Sequence, residues 1–207
     1  MAGPLTVAAV AAMANSKFEM QGAKLKKLFQ GIRDSKKLSK KQREEWYMQI
    51  RNLDIGCPSA LGHPMSKLGF IISLASIGPA TIDRIGITRA ATLAVGRCIK
   101  KLNSKHEFLN SNLEFKILLD GSLYAPRTYQ NQETIIRGDE KINLIAAASI
   151  IAKVTRDRAM ARVAKKIPYY SFEIHKGYGT KKHRDAISCN GFSRIHRRSF
   201  CKKIAIS

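Results

Sequence analysis

The chain has 207 residues, 44% of them hydrophobic, with 37 Lys+Arg against 15 Asp+Glu and a formal net charge of +22. That apolar share supports a packed core and excludes a disordered basic tail, and the length suits a single domain over residues 1–207. No apolar run reaches the ~18–20 residues of a spanning helix, so the charge points to a nucleic acid rather than a membrane.

In chain order, Leu5–Met13 is a short apolar run with no helical face, which suits a buried strand. The first 14 residues lack the basic start of a signal peptide. From Lys24 to Arg43 nine cations face one acid. Ser39-Lys40-Lys41-Gln42 reads as a capping box, with Trp46 and Ile50 continuing at helical spacing. Gly69–Ala75 reads as a strand, broken by Gly78-Pro79. Thr88, Ala91, Val95, Ile99 and Leu102 form one helical stripe.

Two apolar runs, Phe115–Leu119 and Glu133–Arg137, end at Asp120-Gly121 and Gly138-Asp139. Ile142–Lys166 is a long helix whose small residues, Ala146 to Ser149 and Ala152, allow close packing on a sheet. Thr180 is a good N-cap for a helix over 181–190, and Gly191 a good stop. The last stretch, 175–207, again carries nine cations and one acid. With no repeat and no linker, the fold class is α/β, a mixed sheet flanked by helices.

Cys57, Cys98, Cys189 and Cys201 form no C-x-x-C pair, which argues against a zinc ribbon or disulfide framework and suits a reducing cytoplasm. Cys189, Cys201 and the nearby histidines fit no common zinc spacing.

The chemical interest lies in two places. In His175-Lys-Gly-Tyr-Gly-Thr-Lys-Lys-His183, Tyr178 sits between two glycines and is ringed by lysines. Glycines let a backbone come close to a ligand, lysines supply charge for phosphates, and the ring offers a face to a sugar or base. A plain surface turn before a helix would also read this way. Asp120 and Asp139 each follow an apolar strand, where ligands of α/β sheets commonly bind, and are candidates for holding Mg²⁺ against a phosphodiester. The alternatives are a turn at Asp120-Gly121 and a helix-dipole charge at Asp139.

Further ordered motifs are Ala2-Gly3-Pro4, Asp34-Ser35-Lys36-Lys37-Leu38-Ser39, Leu118-Leu119-Asp120-Gly121, Gly138-Asp139, the run from Ile145 to Arg158, and His196-Arg197-Arg198-Ser199-Phe200. With the Tyr178 stretch they resemble bacterial ribonuclease HII, the type 2 ribonuclease H family, from about Gly3 to Phe200. The resemblance implies a ribonuclease H-like fold with a helical C-terminal region. It also implies an endonuclease of RNA:DNA hybrids that cuts 5′ of single ribonucleotides in duplex DNA, a monomer working in DNA replication and repair. Two divalent cations, Mn²⁺ or Mg²⁺, are implied. By position, Asp120 and Asp139 match two of the family's four metal-binding carboxylates. Tyr178 matches the tyrosine that stacks on the deoxyribose beside the ribonucleotide, and Lys36 a lysine that approaches the backbone.

One departure stands out. The family's Gly-x-Asp-Glu-x-Gly-Arg-Gly motif precedes Pro-x-Ala-Gly-Pro, and here only Met1-Ala2-Gly3-Pro4 is present. The family's first central strand, two carboxylates and the backbone that recognises the 2′-hydroxyl are therefore missing. The expectation is an upstream extension of roughly 10–25 residues, one strand and its turn. A further expectation is that the 207 residues as they stand are poorly folded or inactive. A non-catalytic nucleic-acid-binding protein derived from the family is the alternative, and charge alone would also permit a ribosomal component.

Overall fold

A computed structural model of the chain describes residues 1–12, 27–32, 34–53, 70–106 and 115–204. Its elements are strand β1 (Leu5–Ala12), helix α1 (Lys40–Leu53), strand β2 (Phe70–Ile77), and helices α2 (Pro79–Ile85) and α3 (Ile87–His106). Strands β3 (Ile117–Asp120) and β4 (Gln132–Ile135) follow, then short helix α4 (Gly138–Lys141) and long helix α5 (Asn143–Lys166). Helices α6 (Phe172–His175) and α7 (Lys181–Asn190) close the series, with 3₁₀ turns at Pro168–Tyr170 and Arg198–Phe200. Met13, Gly69 and Cys57 lie outside the described residues, as does the start of the Lys24–Arg43 cluster.

Local chemistry sets the helix ends. The capping box is formed in full: the Gln42 N–H donates to Ser39 Oγ at 3.2 Å, and the Ser39 N–H to Gln42 Oε1 at 2.9 Å. Pro79, whose missing N–H is no loss in a first turn, opens α2 directly after Gly78. Thr180 Oγ1 accepts the His183 N–H at 3.3 Å to start α7, and the Gly191 N–H closes it on Ile187 O at 2.8 Å.

Among the described residues the strands pair two by two, β1 with β2 and β3 with β4. The second pair is parallel, with Ile117 opposite Gln132 and Asp120 opposite Ile135. A parallel pair needs a crossover, usually a helix. Here residues 121–131 cross without one, braced by side chains of β4. Gln132 Oε1 accepts the Ala125 N–H at 2.8 Å, Gln132 Nε2 donates to Tyr129 O at 2.7 Å, and Thr134 Oγ1 donates to Leu123 O at 2.9 Å. Val95 and Ile99 of α3 pack against Leu119 and Ala125 to bury this crossover.

The chain divides into two compact units. One is Met1–Thr6, Ser76–Ala91 and Thr155–Ser207, and the other Val7–Ala75 and Thr92–Val154. The core of the second unit gathers Phe29, Leu38, Ile50, Phe70, Ile150 and Val154, with Phe29 and Phe70 edge to face at 5.8 Å. The core of the first gathers Ala2, Met160, Ala164, Tyr170, Phe172 and Ile187. Each fully buried Ile or Phe contributes about 1.5–3 kcal/mol.

Candidate functional site

Asp120 is the last residue of β3, and its Oδ1 accepts the Gly138 N–H at 2.8 Å. The parallel register brings this about, since Asp120 stands opposite Ile135 and the chain then turns sharply. Arg137 makes that turn in the left-handed region, φ 54° and ψ 47°, a conformation that costs a non-glycine residue about 1–3 kcal/mol and is imposed by its surroundings. Gly138 is required next: a Cβ there would lie 2.8 Å from Ile145 Cδ1 and 3.3 Å from Asp120 Oδ1.

Asp139 follows in the first turn of α4, 8% exposed, with the carboxyl of Asp34, also 8% exposed, beside it. Burial pushes the Asp139 carboxyl above the usual carboxylate range, the charges of Asp120 and Asp34 push it further, and the Lys36 ammonium pulls it back. Asp34 Oδ1 also accepts the Lys36 N–H at 2.8 Å, which folds the Asp34–Leu38 turn on itself. That turn is tied to α5 through Ser35 Oγ and Ser149 Oγ, 3.0 Å apart. Lys37 Nζ meets Glu140 Oε1 at 2.7 Å at the exposed rim.

The donor chemistry suits a hard divalent cation, because side-by-side carboxylates that repel one another are relieved by a dication. The set is partial: among the described residues no three His, Cys, Asp or Glu side chains are arranged to hold a metal ion.

In the other unit, Tyr178 tops the turn between α6 and α7 and is 52% exposed. Its N–H donates to His175 O at 2.8 Å, and its ring lies over the Arg156 guanidinium, 5.0 Å from centroid to Cζ. Arg156 is clamped in turn, Nε donating to Pro4 O at 3.1 Å and Nη2 to Ala2 O at 3.2 Å. Gly177 has φ 79°, and a Cβ there would stand 2.6 Å from Ala2 O. A Cβ at Gly179 would stand 2.6 Å from Met1 Sδ. Both glycines therefore leave room for residues 1–2 of the chain itself.

The model of the family described as Ribonuclease HII matches residues 1–203. The chain belongs to the ribonuclease HII family. Ribonuclease HII of Coxiella burnetii (strain RSA 493 / Nine Mile phase I) is 40% identical over 173 residues, which are 84% of this chain and 74% of the relative. That of Fusobacterium nucleatum subsp. nucleatum is 40% identical over 178 residues, 84% of this chain and 72% of the relative. Among solved structures, ribonuclease H2 from Pyrococcus horikoshii OT3 superposes with a TM-score of 0.59 at 21% identity, covering 96% of each chain. The PCNA:RNase HII complex from Archaeoglobus fulgidus gives 0.52 at 25% identity, over 90% of this chain and 80% of that one. The ribonuclease H-like α/β fold is thus established, and the chain is a member of a ribonuclease H enzyme family.

Of the residues singled out from sequence, the second unit brings together Lys36, Asp120 and Asp139, while Tyr178 belongs to the first. Asp34 was missed as a partner of Asp139. A signal was available, since Asp34 is the lone acid in the run of nine cations from Lys24 to Arg43. Arg156 and the buried His183 and His196 were missed too, since their partners Pro4, Tyr178 and Ser193 meet them only in the folded chain. Cys98 and Cys201 are buried free thiols, Cys189 an exposed one, and no described helix is long and apolar enough to cross a membrane.

Proposed function

We propose that residues 1–207 act as one catalytic domain, an endonuclease that cuts the RNA strand of RNA:DNA hybrids and the 5′ side of single ribonucleotides in duplex DNA. The observation that carries the reading is the crowding of Asp120, Asp139 and Asp34 beside Lys36 in a chain of the ribonuclease HII family. Asp120 and Asp139 would hold divalent cations, Mg²⁺ or Mn²⁺, which when bound activate a water and offset charge on the phosphate. Asp34 adds a second negative charge beside Asp139, which a bound cation would offset. The turn that Asp34 folds presents Lys36, exposed, to a phosphate backbone. Tyr178 supplies a ring against the deoxyribose next to the ribonucleotide, whose 2′-hydroxyl alone distinguishes it from its neighbours.

We also propose that the +22 charge gives the chain its affinity for duplexes. A duplex with one ribonucleotide, labelled at its 5′ end and incubated with Mg²⁺ or Mn²⁺, tests both statements. Slow cutting 5′ of the ribonucleotide, lost in Asp139→Asn, supports the enzyme. Binding without any cutting supports the non-catalytic binder. Neither cutting nor salt-sensitive binding overturns both.

A further inference from the structure

We propose that His183 and His196 are positioning residues for Tyr178, forming a one-way hydrogen-bond relay that ends on its backbone carbonyl. The proposal rests on the reading of Tyr178 as the ring that stacks on the sugar. Neither histidine touches substrate; each acts through the turn that carries the ring.

The proton arrangement follows from one group that can only donate. The Ser193 N–H points at His196 Nδ1, 2.9 Å away, so that nitrogen accepts and the neutral ring keeps its proton on Nε2. His196 Nε2 lies 3.1 Å from His183 Nε2, so His196 donates and His183 accepts. The proton of His183 is then on Nδ1, which meets the Tyr178 carbonyl at 2.8 Å. Every link from Ser193 to Tyr178 therefore points the same way, and hydrogen bonds in such a series polarise one another. His183 and His196 are 0% and 3% exposed, so the relay is shielded from bulk solvent.

Neighbouring rings pack against the relay. His175 stacks on His183 at 4.4 Å with planes 16° apart, and Phe172 meets His183 edge-on at 5.3 Å. His175 is fixed in the same manner: its Nδ1 accepts the Gly177 N–H at 3.2 Å, so its Nε2–H donates to Tyr170 O at 2.6 Å. Among the contacts that hold Tyr178, His175 O takes its N–H, the relay and the Thr180 N–H at 2.9 Å meet its carbonyl, and Arg156 lies against its ring. A half-exposed ring on a glycine-flanked turn would otherwise sample many orientations, and a stacking surface works only when one orientation is preorganised.

The test combines ring tautomers with a binding ratio. Long-range ¹⁵N NMR on the intact chain reads which nitrogen carries the proton; Nδ1–H on His183 and Nε2–H on His196 and His175 are expected. The ratio is the affinity for a duplex with one ribonucleotide divided by that for a uniform RNA:DNA hybrid, taken on variants whose circular dichroism shows them folded. His183→Leu should lower it about fivefold or more, the scale of a lost stacking contact. His183→Asn keeps an N–H near the Nδ1 position and should restore most of it. The His183→Leu/Tyr178→Ala double variant should lose no more than Tyr178→Ala.

Opposite tautomers, an unchanged ratio in His183→Leu where Tyr178→Ala lowers it, or losses that add in the double variant would each overturn the proposal. If His183→Leu does not fold, the tautomers and His183→Asn decide, and a loss in His183→Asn as large as in Tyr178→Ala overturns it. An unchanged ratio in Tyr178→Ala itself removes the stacking reading, and the proposal with it.

Discussion

Asp34 and Asp139, each 8% exposed, bring two carboxyl groups together beside Asp120. Burial first, and then the charges of Asp120 and Asp34, favour the protonated form of Asp139. A group whose folded pKa is raised contributes most to stability at low pH, and loses that contribution as pH rises through the unfolded and then the folded value. At neutral pH the Asp139 charge therefore opposes folding in the metal-free protein.

It follows that Asp139→Asn should leave the metal-free Tm at pH 7 unchanged or higher, while reducing or removing the rise in Tm produced by Mg²⁺ or Mn²⁺. Thermal unfolding with and without the cation measures both effects. A marked fall in the metal-free Tm, with the cation-induced rise intact, would mean that Asp139 is a structural acid.

Tyr178→Ala should weaken action at single ribonucleotides more than within long RNA:DNA hybrids, because only the former place a deoxyribose directly after the target. The lost stacking is worth ~1–3 kcal/mol. Parallel assays on the two substrates, by cleavage or by affinity, give the answer. Equal losses on both would make the ring part of the packing of its turn.

The buried histidines set an acid limit. Burial holds His183 and His196 down at about 4, against about 6.5 for an exposed ring. Their contribution is complete above the unfolded value and is lost as pH falls from about 6.5 through about 4. Urea midpoints should therefore be lower at pH 5 than at pH 7, and the drop should shrink in His183→Asn. Identical drops in the two proteins would place the acid sensitivity elsewhere.

Gly177→Ala should destabilise the fold well beyond a surface glycine substitution. It forces a side chain into φ 79° and brings a Cβ to 2.6 Å from Ala2 O; the left-handed backbone alone costs roughly 1–2 kcal/mol. Gly191→Ala, where φ is 69° but nothing lies within 4 Å, separates the two effects. If both variants lose the same stability, the approach of Ala2 contributes nothing.

Duplex affinity should fall steeply with salt, as the nine-cation stretch from His175 to Ser207 displaces counterions from phosphates. Fluorescence anisotropy over a salt series measures the slope. A flat response would show that the +22 charge serves some end other than binding a polyanion.

Much of this was legible in the sequence where local chemistry decides. Ser39 with Gln42, Gly78-Pro79, and Thr180 with Gly191 mark element ends whatever the rest of the chain does, and the structure keeps all three. The stretch from Pro168 to Lys176 was not legible. Ser171 and Lys176 sit at φ 52° and 50° without being glycine, held by bonds such as Tyr170 Oη to Gly191 O at 3.0 Å that no local pattern announces. The site divides in the same way. Asp120 and Asp139 could be picked out as acids at strand ends, whereas Asp34 becomes their neighbour only once the β3–β4 register and the Asp34–Leu38 turn are both in place.

Arg197, almost buried, donates its Nε–H to Gly3 O at 2.9 Å across 194 residues, and Ala2 bridges to His196 beside it. At about 5–20 residues per second, a ribosome needs about 10–40 s to make the chain between those partners. For most of that interval Ala2, later fully buried, has neither the His196 bridge nor the carbonyl of Gly177 to pair with. The unit that carries Tyr178 is thus committed to folding late in synthesis. A nascent chain paused before residue 197 should leave that segment open to proteases or chaperones.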